Sequence, residues 1–183
     1  GDADIVVAGG VENMTRGPWV MSKASKPFGR DSQMHDSSFG WRFINPKLKK
    51  IYGVDGMGVT AENLVDLHGI SREDQDAFAY NSQMKATLAR DQSILAEEIV
   101  HVAIPIRKQD DMIFQHDEFI RSGTTLDILS KLRPAFRQEG GSVTAGNASG
   151  LNDGSAALLF ANEQGLKSQG LEPLAEIISS AVV

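Results

Sequence analysis

The 183-residue chain contains no cysteine. That removes disulfides, thiolate metal sites and cysteine nucleophiles from the chemistry these residues can perform unaided. It is compatible with a cytoplasmic location, which is the expectation. Basic residues are also in deficit, 18 Lys and Arg against 24 Asp and Glu, for a formal net charge of −6. A non-specific nucleic-acid binder needs a basic face to neutralise phosphate, so no nucleic-acid partner is expected. No apolar run approaches the roughly 20 residues that span a bilayer, so no membrane partner is expected either. Histidine is scarce, and His35, His68, His101 and His116 fall into no metal-ligand spacing. No metal site is therefore expected. A Gly-x-Ser-x-Gly elbow, a Walker phosphate loop and a Gly-x-Gly-x-x-Gly turn after the first strand are all missing. Glu97-Glu98 and Asp110-Asp111 read as solvated turns rather than a catalytic acid pair. There is no internal repeat and no low-complexity segment.

What remains is 41% hydrophobic and 23% charged, the mix of an ordinary globular chain of one or two domains. The opening Gly1-Asp2-Ala3-Asp4 does not read as a secretory signal. Gly1 is not an initiator methionine, so a processed, trimmed or excised chain is expected. Asp4 to Ala8, closed by Gly9-Gly10, reads as a buried strand ending in a glycine turn, with a buried helix segment as the alternative. Thr15 to Gly58 reads as irregular and rich in aromatics (Trp19, Phe28, Phe39, Trp41, Phe43, Tyr52), which should pack on their own domain or on a neighbouring subunit.

Two capped helices follow. Thr60 is placed to cap the first, and Gly69 to end it. His68, near that end, reads as a partly buried surface residue rather than a ligand. Ser71 caps the second helix, with Asp74 as an acidic variant of the capping box and Ala77, Tyr80, Met84 and Leu88 as its apolar face. Glu98 to Ile106 alternates as a strand, Asp110-Asp111 turns, and Met112 to Phe114 returns. Thr125 to Lys131 is a helical turn or two, stopped before Pro134. Ser155 to Ala161 reads as a buried strand and Leu166 to Gly170 as the end of a short helix. Leu174 to Val183 reads as a strand that the sequence interrupts, which implies a missing remainder.

One segment does not look like scaffold. Thr144-Ala145-Gly146-Asn147-Ala148-Ser149-Gly150-Leu151-Asn152-Asp153-Gly154 sets glycines beside small polar groups, so backbone can approach a ligand closely. Such a loop suits a thin polar chain. By itself it reads more readily as a tight turn between sheet and loop.

That motif joins four others in order: Val7-Ala8-Gly9-Gly10-Val11-Glu12-Asn13-Met14, Gly58-Val59-Thr60-Ala61-Glu62-Asn63, Ser71 to Ala79 (Ser-Arg-Glu-Asp-Gln-Asp-Ala-Phe-Ala), and Lys131-Leu132-Arg133-Pro134-Ala135-Phe136. Together they cover almost the whole chain, which resembles the thiolase family. The resemblance implies an α/β fold of two similar halves, each a mixed sheet covered by helices, with a long loop domain inserted in the first. This chain would be a partial thiolase fold. Residues 1–14 and 150–164 would belong to the N-terminal domain, 15–149 to the inserted loop domain that holds coenzyme and makes oligomer contacts, and 165–183 to a linker and the first strand of the C-terminal domain.

The resemblance also implies acyl transfer between coenzyme A thioesters. The family uses an acyl-accepting cysteine activated by a histidine, and a second cysteine that moves a proton at the substrate α-carbon. The segments carrying those groups lie outside these residues, so no catalytic residue is assigned and the chain alone should be inactive. Coenzyme A would be a substrate, with no permanently bound cofactor and no metal. The partners implied are coenzyme A, acyl-CoA and further copies of the subunit in a dimer or tetramer. Arg121 matches a basic residue near the coenzyme's nucleotide end, where a guanidinium suits phosphate; otherwise it is an exposed arginine after a strand. Ser149 matches a serine that hydrogen-bonds the pantetheine arm, with Ala145 on the same loop. Met57, Leu132, Ala135 and Phe136 match apolar lining beside that arm, or else are plain core packing.

Two positions depart from the pattern. Gly56 stands where many biosynthetic members carry histidine, and Ile128 where a serine is frequent. The stretch Gly40 to Pro46 with Tyr52 to Asp55 resembles degradative members, including 3-oxoadipyl-CoA thiolases; an acetyl-CoA acetyltransferase is the alternative. A non-catalytic coenzyme-binding module and an oligomerisation module are the competing readings of a chain without cysteine.

Overall fold

The computed structural model describes residues 2–182. β1 (Ile5–Glu12) pairs antiparallel with β6 (Gly154–Ala161), with Ile5 opposite Ala161 and Glu12 opposite Gly154. The turn expected at Gly9-Gly10 is absent, because the strand runs through both glycines. The reason lies across the ladder: a Cβ on Gly9 would stand 2.4 Å from the Ala156 carbonyl oxygen, so the backbones meet at a distance only glycine permits. Gly10 faces open space.

Just beyond the ribbon, the chain leaving β1 is tied to the chain entering β6. Thr15 donates its amide to Asp153 Oδ1 at 2.9 Å and its hydroxyl to Oδ2 at 2.6 Å. After β6, Asn162 caps α5 (Glu163–Gln169), and Gly170 closes it in the left-handed conformation, as the glycine there predicted. Gly165 lets α5 close on the start of β1, since a Cβ there would meet the Asp4 carbonyl at 2.4 Å. These segments form one compact unit, and Trp19–Gly150 forms a second.

In the second unit, the stretch expected to be irregular contains a hairpin of β2 (Trp19–Met21) and β3 (Met34–Asp36), then a helix, α1 (Pro46–Tyr52). Asn45 accepts from the Lys47 amide ahead of Pro46, and Gly53 follows the helix. These are ordinary start and stop signals that the scattered aromatics obscured. The aromatics themselves do not find cover within the chain: Trp19, Phe28, Phe39, Trp41, Phe43 and Tyr52 are all exposed.

The first expected helix, α2 (Met57–His68), starts at Gly56 rather than at Thr60. The Thr60 hydroxyl instead donates back to the Gly56 carbonyl from inside the first turn, at 3.3 Å. Gly69 ends the helix with φ +62°, as its position predicted, and His68 is exposed. In α3 (Arg72–Asp91) the expected cap forms: Ser71 Oγ accepts from the Asp74 amide at 3.0 Å and donates to Asp74 Oδ2 at 2.7 Å. On its apolar face, Ala77, Tyr80 and Met84 are half-buried while Leu88 is exposed.

β4 (Val102–Ile104) and β5 (Met112–Phe114) make the expected hairpin, but β4 is shorter than the alternation from Glu98 suggested. Turns that follow α3 run to Glu98, and residues 99–101 are neither turn nor strand. α4 (Leu126–Ser130) is capped by the Thr125 hydroxyl.

Three expectations fail for a shared reason. β1 and β6 were both read as buried but are exposed along most of their length, and the described part of the expected last strand, residues 174–182, is not a strand; Val183 lies outside the described residues. A buried strand needs neighbours on both edges and both faces. β6 pairs only with β1, and Leu174, Ile177, Ile178 and Val182 stand exposed with no strand beside them among the described residues. The only buried hydrophobic residues described are Leu129 and Val143. No helix among the described residues is long and apolar enough to cross a membrane.

Two predictions follow from the ribbon. Gly9→Ala should lower its stability by about 1–3 kcal/mol, because the added methyl overpacks against backbone, whereas Gly10→Ala should change it by less than about 0.5 kcal/mol. Amide exchange across β1 and β6 reads both. The Asp153 carboxyl is held below its ordinary value by the Thr15 hydroxyl and then by the Thr15 amide. A carboxyl lowered in the folded state stabilises it above the unfolded value of about 3.9, and that contribution is lost as pH falls through the lowered folded value. The Thr15 protection factor should therefore hold at neutral pH and decline below about pH 4, and Asp153→Asn should abolish that decline.

Candidate functional site

The glycine-rich loop is anchored before it is free to do anything else. Its first residues run back along the 134–135 segment: Ala135 donates to the Val143 carbonyl at 2.9 Å, and Pro134 bridges Thr144. From α2, the carboxylate of Glu62 reaches this start of the loop and is fully buried there. Its Oε1 accepts from the amides of Ser142 and Val143, both at 2.9 Å, and its Oε2 accepts from the Ser142 amide and hydroxyl, both at 3.2 Å. A buried carboxylate is tolerated where several donors replace its water, and charge-assisted bonds of this kind are the stronger ones.

α3 supplies the second anchor. Arg72 and Asp76 share a helix face at i,i+4 spacing, with Arg72 Nε donating to Asp76 Oδ2 at 2.8 Å. Arg72 Nη2 also donates to the carbonyls of Leu129 at 2.6 Å and Leu132 at 3.0 Å, which holds the end of α4. The other oxygen of Asp76 accepts from Asn147 Nδ2 at 2.9 Å. Asn147 Oδ1 in turn accepts from the Thr144 amide at 2.7 Å. The buried Thr144 hydroxyl accepts from the Gly146 amide at 3.1 Å, and Gln75 donates to Ser142 Oγ at 3.0 Å. Among the described residues, no buried side-chain nitrogen or oxygen of this knot lacks a partner, as burial requires.

Of the apolar residues singled out in the sequence, Leu132 and Ala135 meet this loop, whereas Phe136 meets the start of α2. Leu132, with Leu129, lies against Gly146, where a Cβ would meet their methyl groups at 2.5 and 2.6 Å. The Phe136 ring lies on Gly58, whose Cβ would stand 2.2 Å from two ring carbons. Met57, beside Gly58 at the start of α2, is 83% exposed. Ala135 is paired to Val143, and Ala145 sits between the anchored Thr144 and Gly146. Ala145 and Ser149 are exposed, and Ala145, Ala148 and Ser149 form no hydrogen bond among the described residues.

Arg121 is not brought into this cluster. Its amide donates to Gln83 Oε1 at 2.8 Å, farther along α3, and its guanidinium stands 5.9 Å over the Phe119 ring. The guanidinium has no carboxylate partner among the described residues. Arg72 and Gln83 are separated on α3 by eleven residues (83 − 72), about 16 Å of helix.

Glu62, Arg72, Asp76 and Asn147 were not singled out by sequence reasoning. A faint signal existed, in an arginine and an aspartate four apart and in a glutamate flanked by Ala61 and Val65 on a helix. A cavity of about 190 Å³ lined by Arg90, Ser93, His101, His116 and Ile120 among others, and a surface hollow at Gly40 to Phe43, contain none of the candidate residues. The former is smaller than the 300–1,000 Å³ usual for ligand pockets. No group of three or more His, Asp or Glu suited to a metal occurs among the described residues.

Comparison with known proteins gives a consistent result. The family described as "Thiolase, N-terminal domain" matches residues 1–164. A beta-ketoadipyl-CoA thiolase of Acinetobacter baylyi is 50% identical over 183 residues, all of this chain and 45% of that protein. A 3-oxoadipyl-CoA/3-oxo-5,6-dehydrosuberyl-CoA thiolase of Escherichia coli is 50% identical over 99% of this chain and 45% of its own length. Among solved structures, an acetyl-CoA acetyltransferase from Syntrophomonas wolfei aligns with a TM-score of 0.80 at 37% identity, over 93% of this chain and 41% of that one. The human mitochondrial 3-ketoacyl-CoA thiolase in complex with CoA aligns at 0.77 and 34% identity, over 94% and 41%. The chain thus spans less than half the length of these relatives.

The packing around the two glycines makes a graded prediction. Gly146→Ala forces a methyl onto Leu129, which is buried and cannot retreat, and should cost about 1–3 kcal/mol. Gly58→Ala should cost less, because the half-exposed Phe136 ring can swing outward. Urea unfolding followed by a signal from the Trp19–Gly150 unit orders the two.

Proposed function

The chain belongs to the thiolase family, and from that premise we propose that it is the coenzyme-cradling segment of a longer thiolase that transfers acyl groups between coenzyme A thioesters. The reaction proposed is 3-oxoacyl-CoA plus CoA giving acyl-CoA plus acetyl-CoA, with 3-oxoadipyl-CoA as the favoured substrate. In the full protein, residues 1–14 and 150–164 contribute to the N-terminal domain, 15–149 form the inserted loop domain, and 165–183 lead into the C-terminal domain. The whole acts in the cytoplasm as a dimer or tetramer, its exposed aromatics between Trp19 and Tyr52 covered by neighbouring subunits.

The observation that carries this reading is the anchored loop with Ala145, Ala148 and Ser149 left open, together with the guanidinium of Arg121 near the farther part of α3, which has no carboxylate partner among the described residues. A long ligand, polar along a thin arm and anionic at one end, matches that separation. Met57, Leu132, Ala135 and Phe136 provide apolar contact beside the arm, Ser149 and the Ala145 backbone hydrogen-bond it, and Arg121 meets the nucleotide phosphates. The names of the relatives support the substrate class, and so does the Gly40 to Pro46 stretch. The chain has no cysteine to accept an acyl group, so its own contribution is binding and orientation.

The test is calorimetry of the chain with coenzyme A and with pantetheine, which lacks the nucleotide. Arg121→Ala should weaken coenzyme A on the order of tenfold and leave pantetheine unchanged, while Ser149→Ala should weaken both severalfold. Absence of binding by the unaltered chain would remove the coenzyme reading. No acyl transfer should be detected with the chain alone.

A further inference from the structure

The hydrogen bonds of the 142–149 loop divide sharply between two groups of residues. The amides of Ser142 and Val143 go to Glu62, that of Thr144 to Asn147, that of Gly146 to the Thr144 hydroxyl, and that of Asn147 to the Thr144 carbonyl at 3.3 Å. All are used inward. Ala145, Ala148 and Ser149 keep their hydrogen-bonding groups free among the described residues, and two of the three are exposed. A loop with glycine at 141, 146 and 150 would otherwise sample many conformations, so this division has to be imposed on it.

We infer that Glu62 and Asn147 are positioning residues for coenzyme binding: they turn the inner donors of the loop toward α2 and α3, so that Ala145, Ala148 and Ser149 are presented in fixed order to the pantetheine arm. Neither touches the arm. Glu62 fixes the start of the loop from α2, and Asn147 relays the carboxylate of Asp76 on α3 to the Thr144 amide in its middle. Pantetheine carries amide groups along a thin chain, and a loop already set to meet them avoids the ordering that a mobile loop would require on binding. The inference rests on the coenzyme reading above and assigns roles that the apolar lining residues and Ser149 do not cover.

The experiment follows coenzyme A and pantetheine binding by calorimetry, with amide exchange read residue by residue. Asn147→Ala should weaken both ligands by the same factor, on the order of tenfold, and speed exchange at Thr144 while α2 and α3 keep their protection. Glu62→Gln retains an acceptor oxygen at the same reach and should bind within about threefold of the unaltered chain, whereas Glu62→Ala should lose binding. Equal loss for pantetheine separates this effect from that of Arg121, which acts on the nucleotide. In the unaltered chain, pantetheine should slow exchange at Ala145, Ala148 and Ser149 and leave the already protected Ser142 and Val143 unchanged; this measurement does not depend on any variant folding. If Asn147→Ala binds like the unaltered chain, or if pantetheine protects other residues instead, the positioning role is wrong while the coenzyme reading stands. If the unaltered chain binds no coenzyme A, both are wrong.

Discussion

A buried carboxylate joins distant parts of the larger unit. Glu62 sits on α2, but its partners are the amides of Ser142 and Val143, eighty and eighty-one residues later. Unpaired, each of those amides would cost about 1–3 kcal/mol on burial, and an isolated buried charge far more. The loop and the helix therefore stabilise each other. Asp76 repeats the arrangement from α3, shared between Arg72 and Asn147. Because Arg72 also holds the carbonyls of Leu129 and Leu132, the same knot fixes the end of α4.

This polar knot matters more than usual because apolar burial is so thin. Leu129 and Val143 are the only buried hydrophobic residues described, while strands such as β1 and β6 expose Val7, Val11 and Leu158. A two-stranded ribbon is marginal by itself in water and needs a third strand or a helix against its face. The chain covers less than half the length of its relatives, and the exposed apolar surface is what a segment of a larger fold would present to the remainder. The site is better determined than the surroundings, because its order comes from directional bonds rather than from a filled core.

Local signals were legible where the physics is local. Ser71 with Asp74, Gly69, Thr125 and Gly170 mark helix ends through bonds that close within a few residues, and these ends were readable from residue type and spacing, whereas the Asn162 cap was not read. Thr60 misled because its hydroxyl bonds backward within the first turn, a use the cap pattern does not distinguish. Gly9 misled because its requirement comes from Ala156, far along the chain. The last segment misled because strand propensity is satisfied only by a partner strand. Leu132, Ala135, Phe136 and Ala145 were singled out from motif order, but Glu62 and Asp76, which anchor the loop, were not, since nothing in a glutamate on a helix says which distant amides it will meet.

The sequence by itself determined the family, through five motifs in order, and it determined the limits of the chemistry, because a chain without cysteine cannot accept an acyl group on sulfur. It also determined several helix boundaries, those at Gly69, Ser71, Thr125 and Gly170, which depend on neighbours a few residues away. Only the tertiary structure decided that the glycine-rich loop is held rather than loose, that its inner amides are occupied and its outer groups free, and that Arg121 stands apart from it along α3. Those outcomes depend on contacts between residues tens of positions apart, whose pairing is fixed by packing in three dimensions and leaves no period or spacing in the chain.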